Sequence, residues 1–165
     1  MNVDDPQWYR RAIFYDALVR GFNDSSGDAT GDLRGVTEKL DYLEWLGIDC
    51  LWLLPFYESP LADGGYDISD FFSVHPDYGT VGDAAELIDE AHRRGMRVIA
   101  DMVMNHTSDQ HPWFQESRQS RTNPRADWYV WNDDNDRWAE ARVIFVDTEP
   151  SNWSWDTQRE QYYWH

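Results

Sequence analysis

The chain has 165 residues, with 14 Lys+Arg against 31 Asp+Glu and a formal net charge of −17. At 41% hydrophobic and 16% aromatic, with ten Trp, it carries enough apolar side chain to bury a core, which excludes a disordered chain. The lone Cys50 excludes an internal disulfide framework and a cysteine-based zinc site, and the acidic excess excludes a phosphate-binding surface, which needs clustered Lys and Arg.

No apolar run approaches the length of a membrane span, and the N-terminal MNVDDPQW lacks the basic, then apolar, pattern of a signal peptide. The expectation is a soluble, cytoplasmic protein of a reducing compartment, with no nucleic-acid or membrane partner. Cations and neutral polar molecules are the favoured partners. Asp outnumbers Glu by 22 to 9, and Asp favours turns, caps and oxygen-ligand loops over helix interiors.

In chain order, Ala12–Val19 (AIFYDALV) reads as a first strand, followed by a Gly/Asp/Ser-rich loop from Gly21 to Asp32. Leu33–Leu46 places Val36, Leu40, Leu43 and Leu46 on one helical face and stops at Gly47, a C-terminal cap. Cys50–Leu54 is a continuous apolar run, as in a strand buried on both faces. After a long loop, Asp83–Arg94 shows a stripe of Ala84, Leu87, Ile88 and Ala91, ended by Gly95. Arg97–Met104 (RVIADMVM) reads as a third strand. The order β-α-β-α-β predicts an α/β class with a parallel sheet and right-handed crossovers. No phosphate-binding glycine motif follows any strand. Beyond Asn105 the style changes: seven of the ten Trp lie between Trp113 and Trp164, with a predicted strand at Val143–Val146 and a hairpin from Trp153 onward. The expected division is 1–104, three β/α units, and 105–165, the start of an irregular β-rich insertion after the third strand.

Three stretches carry chemistry. In Asp24-Ser25-Ser26-Gly27-Asp28-Ala29-Thr30-Gly31-Asp32, oxygen donors alternate along a glycine-containing loop, the pattern a hard cation requires. Asp24, Ser26, Asp28 and Asp32 would offer side-chain oxygens and Thr30 its carbonyl. Gly35 sits where an EF-hand has its twelfth-position Glu. The alternative is an acidic turn in which Asp32 caps the next helix. Calcium is favoured over Mg²⁺, because an all-protein loop suits its flexible coordination. In Asp63-Gly64-Gly65-Tyr66-Asp67, an aromatic ring flanked by carboxylates suits a sugar, the ring meeting C–H groups and the carboxylates accepting hydrogen bonds from hydroxyls. A glycine turn with a packed Tyr is the plainer alternative. In Asp101-Met102-Val103-Met104-Asn105-His106, period-two geometry puts Asp101 and Asn105 on one strand face, with His106 at the C-terminal end where α/β folds bind ligands. A histidine satisfied by its own loop is the alternative there, and His111, in HPWF, reads as a packed loop residue.

Together these strings resemble the α-amylase superfamily of glycoside hydrolases. DMVMNHTS is similar to its first signature region, GYDISDF with Asp63 to its sugar-binding loop after the second strand, and DSSGDATGDLRG to the cation loop of its oligo-1,6-glucosidase and trehalose synthase branch. WLGIDCLWLLPFYESPLADGGYDISDF, HPWFQESR and ARVIFVDTEPSNWSWDTQREQYYWH resemble the maltose-to-trehalose isomerases of that branch more than its hydrolases. The resemblance runs from about Trp8 to His165. It implies the N-terminal portion of a (β/α)₈ TIM barrel with a small domain inserted after the third strand. It further implies that Asp63 and His106 hydrogen-bond the transferred glucose and Tyr66 stacks on it, with Asp101 and Asn105 in structural roles. Ser26 stands where many relatives carry Asn, which weakens that cation ligand. A complete barrel needs about 250 residues. The catalytic nucleophile and acid/base are therefore expected downstream of His165, and this chain alone is expected to lack turnover. The implied partners are maltose and trehalose, with oligomerisation of a complete protein left open. The rivals are an oligo-1,6-glucosidase or α-glucosidase of the same superfamily, and a non-catalytic carbohydrate- or calcium-binding module.

Overall fold

The computed structural model describes residues 5–144 and 146–165. By its internal contacts the chain divides into two units, Met1–Met104 and Asn105–His165.

In the first unit, β1 (Phe14–Ala17), β2 (Cys50–Leu53) and β5 (Arg97–Ala100) form a parallel sheet in the order β1-β2-β5. Its register pairs Asp16 with Trp52 and Trp52 with Ile99 across the three strands. Between β1 and β2 run α1 (Val19–Phe22), α2 (Leu33–Glu38) and α3 (Leu40–Leu46); between β2 and β5 lie a short antiparallel pair, β3 (Tyr57–Glu58) with β4 (Asp70–Val74), and α4 (Val81–Arg93). Helix α4 starts on a reciprocal capping box: Thr80 Oγ1 accepts from the Asp83 N–H, and the Asp83 carboxylate accepts from the Thr80 N–H. The core fills the gap between sheet and helices with Ala17, Val36, Leu40, Leu43, Leu51, Leu53, Leu87 and Ala91.

The structure alters four sequence expectations in this unit. The single helix over Leu33–Leu46 is two, broken at Lys39 (φ −100°, ψ 4°). Thr37 turns its hydroxyl back onto the Leu33 carbonyl at 2.9 Å, a bond that competes with the helical ladder and bends it. Val36, Leu40 and Leu43 remain buried across the break, whereas Leu46, expected on the same face, is exposed at the end of α3. The first strand covers Phe14–Ala17 rather than Ala12–Val19. The second strand is buried except at Trp52, which is 38% exposed although Cys50 on the same face is buried. The third strand ends at Ala100, not Met104, because Ala100 pairs with Leu53, the last residue of β2, and a strand without a partner has no ladder. Asp101 keeps one link, its N–H donating to the Leu53 carbonyl at 2.9 Å.

In the second unit, α5 (Pro112–Ser117) precedes an antiparallel sheet ordered β6-β8-β7, with β6 at Trp131–Asn132, β7 at Trp153–Asp156 and β8 at Gln161–Trp164. The expected hairpin from Trp153 is present, its turn held by the buried Asp156, which accepts from the N–H groups of Gln158 and Arg159. Arg159 is buried with its guanidinium 4.4 Å from the Trp131 ring centre and its donors on the carbonyls of Ser117 and Ser120. His111 is more than a packed loop residue, because its Nδ1 accepts from the Trp113 N–H and caps α5. The strand expected over Val143–Val146 is absent at Val143, Ile144 and Val146, and Phe145 lies outside the described residues. Ile144 and Val146 are largely exposed, so no partner strand covers them. Among the described residues no helix is long and apolar enough to cross a membrane.

Candidate functional site

Two residues of the expected site, Tyr66 and Asp101, meet at the carboxyl end of the parallel strand β5. Asp101 directly follows β5. Its carboxylate Oδ2 accepts from the Tyr66 hydroxyl at 3.1 Å, tying the loop after β2 to the end of the third parallel strand. Burial, this hydrogen bond and the negative charges of Asp101, Asp16 and Asp63 all push the Tyr66 phenol up. Burial and the Asp101 charge raise Tyr57 likewise. Both tyrosines are thus neutral donors at physiological pH.

Tyr66 and Asp63 are the ends of one tight turn. The Tyr66 N–H donates to the Asp63 carbonyl at 3.0 Å, and the central residues have positive φ, Gly64 at 62° and Gly65 at 109°. Two successive positive φ values are what a primed turn demands and glycine supplies without strain. Gly65 is also hemmed in, since a Cβ there would lie 3.0 Å from the Pro55 carbonyl oxygen. The turn leaves the Asp63 side chain exposed beside a half-buried aromatic ring.

Asn105 and His106 belong to the second unit, where Asn105 Nδ2 and His106 Nδ1 lie 3.2 Å apart on exposed residues. They do not stand on a strand face, because β5 has ended before them.

The loop read as a cation site is closed on itself. Asp24 Oδ1 accepts from the N–H groups of Ser26 and Gly27 and from the Ser26 hydroxyl, and Oδ2 accepts from the Ala29 N–H. The Gly27 and Ala29 amides hold its carboxyl below the usual range. Asp28 accepts from the Thr30 N–H. Asp32 caps α2 through the Gly35 N–H at 2.6 Å and also accepts from the hydroxyl and N–H of Ser25. Burial pushes Asp32 upward, but the Gly35 and Ser25 donors outweigh it and the carboxyl is lowered. Among the described residues no three His, Cys, Asp or Glu side chains gather around a point that could hold a metal ion. The capping alternative accounts for Asp32, and the Asp24 and Asp28 carboxylates are engaged by amides of their own loop.

Several contributors were missed from sequence. Asp16 bears on Tyr66 from β1, and its signal is a carboxylate within an otherwise apolar strand. Tyr57 had no signal, because aromatic residues are equally suited to a strand. Ser59 carries no signal as an ordinary loop residue, and Asp67, the second carboxylate flanking the ring, accepts instead from the Ala62 N–H and the Ser59 hydroxyl.

The α-amylase catalytic-domain model matches residues 17–165. The chain belongs to the α-amylase family. Its parallel sheet, with crossover helices and loops at the carboxyl ends, is the N-terminal portion of a (β/α)₈ barrel. The chain is 63% identical over 161 residues to the trehalose synthase/amylase TreS of Mycolicibacterium smegmatis, covering 98% of this chain and 27% of that protein. It is 45% identical to the oligo-1,6-glucosidase of Heyndrickxia coagulans, covering 96% of this chain and 29% of that protein. A solved structure of an isomaltulose synthase mutant from Erwinia rhapontici, in complex with its natural substrate sucrose, matches with a TM-score of 0.88 at 44% identity, over 97% of this chain and 28% of that one. The chain thus spans between a quarter and a third of the length of these relatives.

Proposed function

We propose that this chain supplies part of the glucose subsite of an isomerase that converts maltose to trehalose by intramolecular transglucosylation. Asp63 accepts hydrogen bonds from hydroxyls of the transferred glucose, Tyr66 stacks on its ring, and His106 bonds the same glucose. Asp101 and Asn105 support them structurally. The observation that carries this reading is the Asp63–Tyr66 turn, which offers an exposed carboxylate beside a ring whose hydroxyl is held by Asp101. A neutral phenol anchored at its tip presents its face, and an apolar face beside an acceptor is what a sugar ring needs.

The reaction fits the retaining scheme of two carboxyl groups about 5–5.5 Å apart. One carboxylate takes the glucosyl unit as the glycosidic bond breaks, while the other group, a protonated carboxylic acid, gives its proton to the departing glucose oxygen. The anomeric hydroxyl of that glucose then attacks, returning its proton. Excluding water separates isomerisation from hydrolysis. No residue of this chain is assigned to either carboxyl, so the 165 residues alone are proposed to lack turnover. Residues 105–165 are read as the start of the inserted domain.

The isomerase reading draws support from the higher identity to the trehalose synthase than to the oligo-1,6-glucosidase, 63% against 45%. The isomaltulose synthase likeness points the same way. Calcium at the Asp24–Asp32 loop rests on the sequence pattern alone. The test is incubation of the intact protein with maltose and chromatography of the products. Trehalose as the main product is expected. Glucose alone would replace the isomerase with a glucosidase, and trehalose formed by the isolated 165-residue chain would refute its proposed inactivity.

A further inference from the structure

We infer that Asp67 is a positioning residue for the sugar-binding turn, an inference that rests on reading Asp63 and Tyr66 as sugar contacts. Asp67 directly follows Tyr66, and Ala62 directly precedes Asp63. The Asp67 carboxylate closes that ring: Oδ2 accepts from the Ala62 N–H at 2.8 Å, and Oδ1 accepts from the Ser59 hydroxyl at 2.8 Å. Ser59 is itself buried, and its Oγ accepts from the Leu61 N–H at 2.9 Å. One carboxylate and one hydroxyl therefore fix the chain on both sides of the turn.

The segment they fix is not one the backbone adopts freely. Leu61 sits at φ 60°, in the left-handed region that a non-glycine residue enters at a cost, and two glycines at positive φ follow within four residues. Glycines widen the choices of the unconstrained loop, so something outside the turn must select this conformation. Downstream, Ile68 is fully buried and anchors the chain just past Asp67. Upstream, the Ala62–Asp67 bond holds the residue before Asp63. Tyr66 has a second hold in Asp101. The Asp63 side of the turn depends on the clasp. Asp67 thus governs where the Asp63 carboxylate points, without touching sugar.

Asp67→Asn separates these roles. It is isosteric and can still accept from Ser59, but its amide donates where the Ala62 N–H also donates. In the intact protein, KM for maltose is expected to rise about tenfold, the worth of one hydrogen bond to a charged acceptor, with kcat retained within about twofold. Hydrogen exchange at the Ala62 amide should speed up by a similar factor, while the melting temperature moves by only a few degrees. A merely structural brace would move the melting temperature and leave KM alone. Unchanged KM in folded Asp67→Asn, with KM raised in Asp63→Ala, would overturn the positioning role and spare the sugar site. Unchanged KM in both variants, or a wild-type protein that does not act on maltose, overturns the sugar-site reading and this inference with it. Should Asp67→Asn fail to fold, Ser59→Ala takes its place, with KM expected to rise about threefold. Unchanged KM and unchanged Ala62 exchange there would overturn the proposal.

Discussion

Asp32 shows how one carboxylate can serve two local demands. It meets the Gly35 N–H at the start of α2 and two donors of Ser25, so the loop and the helix share a single acceptor. Replacing it by Ala leaves these donors without their acceptor and is expected to cost about 1–2 kcal/mol in urea unfolding. Its carboxyl is lowered in the folded chain, so its contribution is present above the ordinary carboxyl value of 3.8 and is lost as pH falls through the folded value. Unfolding midpoints taken from pH 7 to pH 3 should therefore converge for wild type and Asp32→Ala. A second variant, Asp28→Ala, addresses calcium. A loop that binds Ca²⁺ gives binding heat in titration calorimetry and a melting temperature that rises with the ion, both lost in Asp28→Ala. An Asp28→Ala chain indistinguishable from wild type, with no heat in either, would leave Asp24, Asp28 and Asp32 as hydrogen-bond acceptors of a turn. The residue types were legible in the sequence because Asp is chosen for turns. Whether they face a cation or their own amides is not, since both uses ask for the same oxygen spacing.

At the scale of elements, the α2 helix is held against the preceding loop by the absence of side chains. A Cβ on Gly35 would lie 1.9 Å from the Asn23 carbonyl oxygen, and one on Gly31 would lie 2.2 Å from that of Val19. Gly35→Ala must push α2 off the loop and is expected to cost more than about 2 kcal/mol. Gly27→Ala meets nothing within 4 Å but must keep φ near 84°, so strain alone should cost about 1 kcal/mol. Chemical denaturation of the two variants separates close approach from strain, and equal midpoints would show that α2 can shift freely. The elements themselves were mostly legible. Gly47 and Gly95 ended their helical stretches, at φ 85° and 75°, because the left-handed residue that stops a helix is a property of glycine itself. The ends of the strands were not legible, because they depend on a partner. Val103 and Met104 have the side chains of a strand, but β2 offers nothing to pair with beyond Leu53. The β3–β4 pair was missed for a related reason. Its shorter arm is only Tyr57–Glu58, too brief to show an alternation.

At the scale of the molecule, the acidic balance and the sheet make different demands. One face of the β1-β2-β5 sheet packs on α2, α3 and α4, and the other carries Phe14, Trp52 and Ile99, each more than a third exposed. In a (β/α)₈ barrel that second face is the interior, filled by side chains from alternate strands. The outer edges of β1 and β5 have no strand partner among the described residues. Parallel strands with open edges and an uncovered apolar face are the combination that closed barrels avoid. Net charge of −17 opposes association over distances of about a Debye length, which shrinks from about 10 Å at 0.1 M salt to about 3 Å at 1 M. The isolated chain should therefore stay dispersed at low salt and self-associate as salt rises, with binding of an apolar dye throughout. Ile99→Lys places a charge on the edge strand β5 within the uncovered face, next to Trp52 in the register, and should shift the onset of association to higher salt. Light scattering and dye fluorescence across a salt series provide the measurement. A wild-type chain that stays monomeric and dark to the dye at 1 M salt would mean that residues of this chain cover the face in solution, and that its three strands do not need the rest of a barrel to hide it.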